Sequence, residues 1–403
     1  SWDSLRISGD GTPTEHQLGV NLLGEAGDIS THLSGGIENQ RWEGVLDKLS
    51  ALETELGDWT LKQAASIHAS ASEASADAIC LQSQPSEICL QGQWSASKGS
   101  QGEISISQLK PSRFKAFLPP EIGIDTSIHL HADGKVDGKG RVVADAVIDL
   151  SAGQITIAQG EGSQALSIGA SKILAQVRNE KLDSSLQLDL GQLGGLQAQL
   201  GLNGFSDRGR LSGSITPDFS DLGIIPLLVP QLQDVSGQFN GQLQLGGTLA
   251  APRITGQLDL QNFGAEIPQV AMLLKDTELH VKGDGDSPLQ IDGVAHSGDG
   301  QLKINGELNP TTRFFNLKIK GEEFVVADSN QLQAVITPDL QVSMNQEGMN
   351  VEGKVFIPRA FIDANGGDSG IETVDGSGDV VIVDEDGQRQ ENTASNNLNL
   401  NVE

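Results

Sequence analysis

The chain has no tyrosine, only three methionines, and aromatic residues make up just 4% of its 403 positions. Glycine, by contrast, contributes 49 residues. Such a composition suits many strands joined by tight turns better than it suits a compact aromatic core. It therefore predicts an all-β chain.

Positive charge is also scarce, since 26 Lys and Arg stand against 54 Asp and Glu and the net charge is −28. Nucleic acids and anionic membrane surfaces are bound through patches of Lys and Arg. The excess of carboxylates therefore argues against both as partners, and it favours solubility of a long β protein.

Long hydrophobic runs are missing. The longest apolar stretch, residues 222–230, contains two prolines and is far shorter than the roughly 20 residues that a membrane-spanning helix needs. No signal peptide pattern is present. Because the chain begins at Ser1 and ends within alternating residues, we expect it to be a piece of a longer protein, with any membrane anchor outside it.

Catalytic motifs are missing as well. There is no G-x-S-x-G sequence, the seven histidines are scattered, and the carboxylates are too evenly spread to nominate a pair. Residues 348–354 match most of a phosphate-binding loop, but Val355 stands where a magnesium-ligating Ser or Thr belongs. We predict no catalytic residues, no cofactor and no enzymatic activity.

Metal ligands are not grouped in the sequence. His129 and His131 project to one face of a predicted strand, a spacing compatible with a metal, but no third ligand accompanies them. We expect both to be exposed histidines on a polar face, and we predict no metal site.

The two cysteines, Cys80 and Cys89, lie in neighbouring alternating segments with Pro85 between them. Placing the cysteines opposite each other makes a hairpin and predicts a disulfide across it. A disulfide indicates an oxidising compartment such as the periplasm. The alternative is a pair of free buried thiols in a cytosolic protein.

What the chain has in abundance is alternation of Leu, Ile or Val with polar residues, as in residues 185–190, 241–245, 256–260, 300–304 and 316–320. Period two is typical of strands with one apolar and one polar face. The polar members predicted to face solvent include Gln187, Gln242, Gln244, Gln257, Asp259, Lys303 and Lys318.

Two segments interrupt this rhythm, near residues 109–119 and 217–233. Each has apolar residues at helical spacing and closes on proline, which predicts a short helix or helical turn. Either segment covers the apolar face as a plug, or it is a structural crossover between sections of sheet. Residues 42–59 suit a helix or a strand, and Gly44 and Gly57 favour a strand.

The apolar face of so many strands has to be covered. With roughly 25 strands, each presenting about three aliphatic side chains, leaving this face in water would lose on the order of 100 kcal/mol of the free energy that burial contributes. A sandwich or a closed helix covers such a face with protein. A sheet curled into an open groove covers it partly by curvature and partly with a long apolar ligand.

Residues 246–258, residues 355–360, residues 378–384 and the cysteine hairpin, in that arrangement, resemble the TamB family of Gram-negative bacteria. These translocation and assembly module subunits belong to the AsmA-like, bridge-like lipid transfer proteins. The resemblance covers essentially the whole chain. It implies an elongated, taco-shaped β-sheet with an apolar interior, anchored in the inner membrane and reaching the outer membrane.

The resemblance also implies phospholipid movement across the periplasm and, with the Omp85-type barrel TamA, assembly of outer-membrane proteins. We therefore predict that residues 1–403 form one continuous groove segment that binds phospholipid acyl chains. The predicted groove residues are Leu186, Leu188, Leu190, Leu243, Leu245, Leu258, Leu260, Leu302, Ile304, Leu317, Ile319, Val355 and Ile357.

Two alternatives remain open. A chaperone or scaffold for inserting outer-membrane β-barrels or autotransporters would use the same groove for a different cargo, with strand edges free to pair with a client. A β-helix surface adhesin would show regular coil-length repeats, and irregular turn spacing and prolines argue against it.

Overall fold

A computed structural model describes residues 2–117, 122–159, 162–227, 229–285, 288–312, 314–345, 348–362 and 398–402. Strands account for 77% of the structure and helices for 3%, which confirms the all-β fold class. Internal contacts divide the chain into two compact units. Unit 1 comprises Ser1–Pro217 and Leu245–Ala250, and unit 2 comprises Asp218–Gln244 and Ala251–Glu403.

Unit 1 is built from eighteen strands: β1 (Trp2–Thr12), β2 (Glu15–Gly24), β3 (Asp28–Glu38), β4 (Arg41–Leu52), β5 (Trp59–Leu61), β6 (Ala65–Ala69), β7 (Glu73–Ser83), β8 (Ser86–Ser95), β9 (Gly99–Leu109), β10 (Ile122–Asp125), β11 (Ile128–Asp137), β12 (Val142–Leu150), β13 (Gly153–Gln159), β14 (Gly162–Ile168), β15 (Ser171–Arg178), β16 (Lys181–Asp189), β17 (Gly194–Asn203) and β18 (Arg210–Phe219, which ends just inside unit 2).

The long strands of unit 1 form an antiparallel meander. From β7 onward the pairs run β7 with β8, β8 with β9, β9 with β11, β11 with β12, β12 with β15, β15 with β16, and β16 with β17. Strands β10, β13 and β14 form a separate three-stranded sheet. Strand β4 confirms the strand prediction over residues 42–52, whereas residues 53–58 leave the strand conformation.

Unit 2 continues with β19 (Gln233–Gly247, whose last residues belong to unit 1), β20 (Pro252–Ile267), β21 (Met272–Asp284), β22 (Leu289–Ser297), β23 (Gly300–Asn309), β24 (Phe314–Glu322), β25 (Phe324–Asp328), β26 (Leu332–Asn345), β27 (Gly348–Ile362) and β28 (Leu398–Val402). Neighbouring strands pair antiparallel from β20 to β24, β26 then pairs with β24, β25 and β27, and β28 lies parallel to β27.

Three short 3₁₀ helices occur among the described residues. Pro111–Phe117 lies in the first predicted interruption, Ile225–Leu227 lies in the second, and Gly191–Leu193 lies in a turn where the sequence predicts no helix. None of the described helices has the length and apolar character that crossing a bilayer requires.

The cysteine hairpin adopts the register that the sequence predicts. Cys80 on β7 and Cys89 on β8 are directly opposite, with their Cα atoms 4.0 Å apart, and their sulfurs are joined in a disulfide. The bond therefore staples one hairpin of unit 1 across nine residues of sequence.

Candidate functional site

Strand register in unit 2 lines up apolar side chains from strand to strand. Residues directly opposite each other in an antiparallel pair point to the same face of a sheet. One row of opposite residues crosses seven strands: Leu258, Val281, Ile291, Gly306, Leu317, Val342 and Val351.

A second row lies beside the first on the same face. It consists of Leu260, Leu279, Gly293, Ile304, Ile319, Leu340 and Gly353. We call these two rows the apolar stripe of unit 2. Leu302 joins the same face, where it is opposite Ala295 and Gly321. The stripe therefore contains predicted groove residues from β20, β23 and β24.

The other face of the same strands is polar. On each strand, the residue between the two stripe residues points to this polar face. These residues are also opposite one another from strand to strand, and they are Asp259, His280, Asp292, Asn305, Lys318, Gln341 and Glu352. Six of the seven polar residues predicted to face solvent are exposed, the exception being Asp259. The period-two alternation thus separates the two faces as the sequence predicts.

Asp259 corrects one expectation, because it is buried at 8% exposure although it lies on the polar face. Its carboxylate accepts hydrogen bonds from His280 Nδ1 at 2.6 Å and from Gln257 Nε2 at 2.8 Å. The hydrogen bond from His280 holds the pKa of Asp259 below its ordinary value. Polar neighbours on the polar face, Gln257 and His280, therefore surround this carboxylate.

Unit 1 carries a comparable apolar row of its own. It crosses β9, β11, β12, β15, β16 and β17 through Ile106, Leu130, Ile148, Ile173, Leu186 and Ala198. The predicted groove residue Leu188 lies on the same face, opposite Leu196. Leu190 follows the end of β16 and precedes the helix Gly191–Leu193, so it stands outside the strand ladder.

The remaining predicted groove residues lie in less regular places. Leu243 is buried on β19, where Gly256 of β20 lies against its backbone, and Leu245 is partly buried where β19 enters unit 1. Val355 is opposite Pro338 and partly buried. Ile357 is 55% exposed and lies within a register shift in the pairing of β26 with β27.

An apolar cluster at β19 and β20 includes Val235, Phe239, Phe263 and Ala265, which sequence reasoning did not nominate. Leu222, Val235 and Ala265 form its buried core. The partly buried side chains that surround this core are Phe219, Ile225, Leu232, Phe239, Leu260 and Phe263. Because Leu260 also belongs to the apolar stripe, the interruption near residues 217–233 lies on the stripe's face.

The histidine pair on β11 has carboxylates nearby. Nδ1 of His131 lies 3.6 Å from Oε1 of Glu103, and its Nε2 lies 3.8 Å from Oδ1 of Asp133. Nδ1 of His129 accepts a hydrogen bond from the backbone N–H of Gln108. In the part of the chain that the structure describes, the group of three potential metal ligands that lie together is Cys80, Glu87 and Cys89. Its two sulfurs are already bonded to each other.

Comparison with known proteins places this geometry in a family. The chain matches the family model described as TamB, N-terminal domain, over residues 1–260, and the one described as TamB C-terminal domain over residues 292–402. The chain belongs to the TamB family. Among curated proteins it is similar to Translocation and assembly module subunit TamB of Haemophilus influenzae, with 21% identity over 381 residues.

This alignment covers 89% of the chain and 28% of the Haemophilus influenzae protein, so the chain spans less than a third of that relative's length. No solved structure matches this chain. The two TamB matches contain the apolar row of unit 1, the stripe residues Leu258 and Leu260 of β20, Gly293 of β22, and strands β23 to β27. Both apolar faces therefore lie largely in TamB-family sequence.

Proposed function

We propose that this TamB family chain is part of a periplasmic conduit whose apolar faces bind phospholipid acyl chains and carry them between the inner and outer membranes. The observation that supports this most directly is the apolar stripe, which continues in register across seven strands of unit 2. The apolar row of unit 1 supports it independently.

The stripe suits a long, flexible apolar ligand. Strands lie ~4.8 Å apart, so seven of them span roughly 30 Å. Burying an acyl chain gains about 0.8 kcal/mol per methylene. Because each strand offers Leu, Ile, Val or Gly at equivalent positions, the binding free energy changes little from one strand to the next. An acyl chain held this way is bound strongly, yet it moves along the stripe at little cost in free energy.

Headgroups belong at the polar side of this arrangement. An acidic protein with a net charge of −28 offers no general attraction to phosphate, so headgroups remain in water while the tails contact the stripe. The Cys80–Cys89 disulfide supports an oxidising compartment such as the periplasm. An inner-membrane anchor and an outer-membrane Omp85-type partner, TamA, complete the proposal.

A second candidate function is the assembly of outer-membrane proteins. The relative's name, a translocation and assembly module subunit, favours it. The antiparallel pairing of these strands argues against a β-helix adhesin, because a β-helix stacks parallel coils.

Photo-crosslinking in the full-length protein separates the two cargoes. A benzoylphenylalanine at Ile304 on the stripe should crosslink to phospholipid in cells, whereas the same residue at Lys303, on the opposite face of β23, should not. Crosslinks from Ile304 to unfolded outer-membrane proteins and not to lipid would favour assembly. Equal lipid crosslinking from both positions would contradict the conduit.

A further inference from the structure

The chain between β18 and β19 folds back onto the apolar stripe of unit 2. We call residues 220–227 the cover segment. Its Leu222 is only 6% exposed and lies in one cluster with Val235 and Ala265, and its Ile225 packs against that cluster. Two aliphatic side chains thus attach the cover segment to β19 and β20.

The surface under the cover segment is the end of the stripe. Leu260, Phe239 and Phe263 all border the cluster, and the rings of Phe219 and Phe239 stack with their centroids 6.5 Å apart. Ala265 is 1% exposed. At this end of unit 2, protein side chains occupy the place that a ligand would take on the following strands.

The stripe continues beyond β20. Leu279, Ile304, Ile319 and Leu340 continue the row of Leu260, and all four are only partly buried. An acyl chain lying along these residues and extending toward β19 would meet, at Leu260, the cluster to which Leu222 belongs.

The cover segment holds its shape by local hydrogen bonds. The N–H of Gly223 donates to Asp221 Oδ1, and the N–H of Ile225 donates to the carbonyl of Leu222. Bonds within a segment persist when it moves as a body, in contrast to the ladder bonds of a strand. Its apolar contacts are also replaceable, because acyl methylenes present the same kind of surface as Leu and Ile.

We propose that the cover segment is a movable stop that closes the apolar stripe at β20. While Leu222 and Ile225 occupy the surface beside Leu260, an acyl chain on β21 to β26 cannot pass onto Phe239. Passage requires the cover segment to lift, with lipid methylenes taking the place of the two side chains. The proposal rests on the lipid conduit described above and assigns this segment control over how far a lipid advances.

The test compares lipid crosslinking at a covered and an open position of the full-length protein. Benzoylphenylalanine replaces Phe239 under the segment or Ile304 on the open stripe, and the probe is a vesicle of phosphatidylethanolamine and phosphatidylglycerol. The releasing variant combines Leu222→Ser with Ile225→Ser. Its matched control is Leu273→Ser, which alters a leucine on β21 that is already 43% exposed.

We expect crosslinking at Phe239 to be about tenfold weaker than at Ile304 and to rise to a similar level in the releasing variant, as a shift from a closed to an open population predicts. Leu273→Ser should change neither position. Far-UV circular dichroism verifies the fold of each variant. Strong crosslinking at Phe239 in the unaltered protein, or no rise in a folded releasing variant, would overturn the proposal.

Two further outcomes are decisive. Absence of lipid crosslinks at Ile304 would refute the conduit itself, and the stop would fall with it. Hydrogen exchange examines mobility without lipid, and the amides of residues 222–225 should exchange faster than those of β20. Equally slow exchange would show a fixed crossover and not a movable stop.

Discussion

A single charge in the middle of the apolar stripe should stop lipid passage. Ile304 lies on β23 between Gly293 of β22 and Ile319 of β24, so Ile304→Asp places a carboxylate in the row that an acyl chain follows. A passing tail must strip water from that carboxylate or leave water beside its own methylenes.

The magnitude follows from the environment of Ile304. An imperfectly compensated polar group costs ~1 to 3 kcal/mol in proteins, and a charged group costs more. At 1.4 kcal/mol per factor of ten, a barrier of about 3 kcal/mol slows passage roughly 100-fold. Because Ile304 is only partly buried, the substitution should lower the free energy of unfolding by about 1 to 2 kcal/mol, which a large sheet tolerates.

The assay is complementation of a strain that lacks the full-length protein, combined with lipid co-purification, protein level and far-UV circular dichroism. The matched control is Lys303→Asp, which introduces the same carboxylate one residue away on the exposed polar face, opposite Lys320. Full activity of a correctly folded Ile304→Asp protein, indistinguishable from Lys303→Asp, would refute a continuous apolar path.

Three further predictions concern stability. Cys80→Ser should lower the free energy of unfolding by ~2 to 3 kcal/mol in urea titrations, with local loosening of its hairpin; unchanged unfolding would show that the bond contributes nothing. Since the pKa of Asp259 is lowered by folding, its stabilisation is present above the unfolded value of 3.8 and lost as pH falls through the folded value. Asp259→Asn should therefore be less stable than the unaltered protein at pH 7 and equal to it in strong acid; an equal gap at both pH values would contradict this. Gly256→Ala should destabilise by about 1 to 3 kcal/mol, because φ is +113° and the new Cβ would meet the Gln242 carbonyl, whereas Gly246→Ala has open space and should be neutral; equal effects in thermal melts would refute the strain.

Much of the apolar stripe could be predicted from the local alternation of apolar and polar residues. Alternation placed Leu258, Leu260, Ile304 and Ile319 on apolar faces because side-chain direction in a strand changes with every residue, whatever the partner strand. The same reasoning placed Lys303 and Lys318 in solvent. Asp259 escaped it because its burial depends on His280, which reaches it from the neighbouring strand.

The packing of the cover segment could not be predicted from local sequence pattern. Helical spacing and prolines predicted an interruption near residues 217–233 but did not decide between a plug and a crossover. Leu222 meets Ala265 across more than forty residues of sequence, and that contact follows from how β19 and β20 pair. Pairing of this kind is decided by backbone hydrogen bonds and bulges, which carry no signature in composition.

The sequence alone determines that this protein is acidic and all-β, that its strands have one apolar and one polar face, and that its two cysteines lie opposite each other in a hairpin. These properties arise from neighbours within a few residues, where parity and turn chemistry act directly. The tertiary structure decided that Leu260 and Leu340 belong to one row, eighty positions apart. Register accumulates strand by strand, and a shift of one residue at any pair would have turned that row to the opposite face.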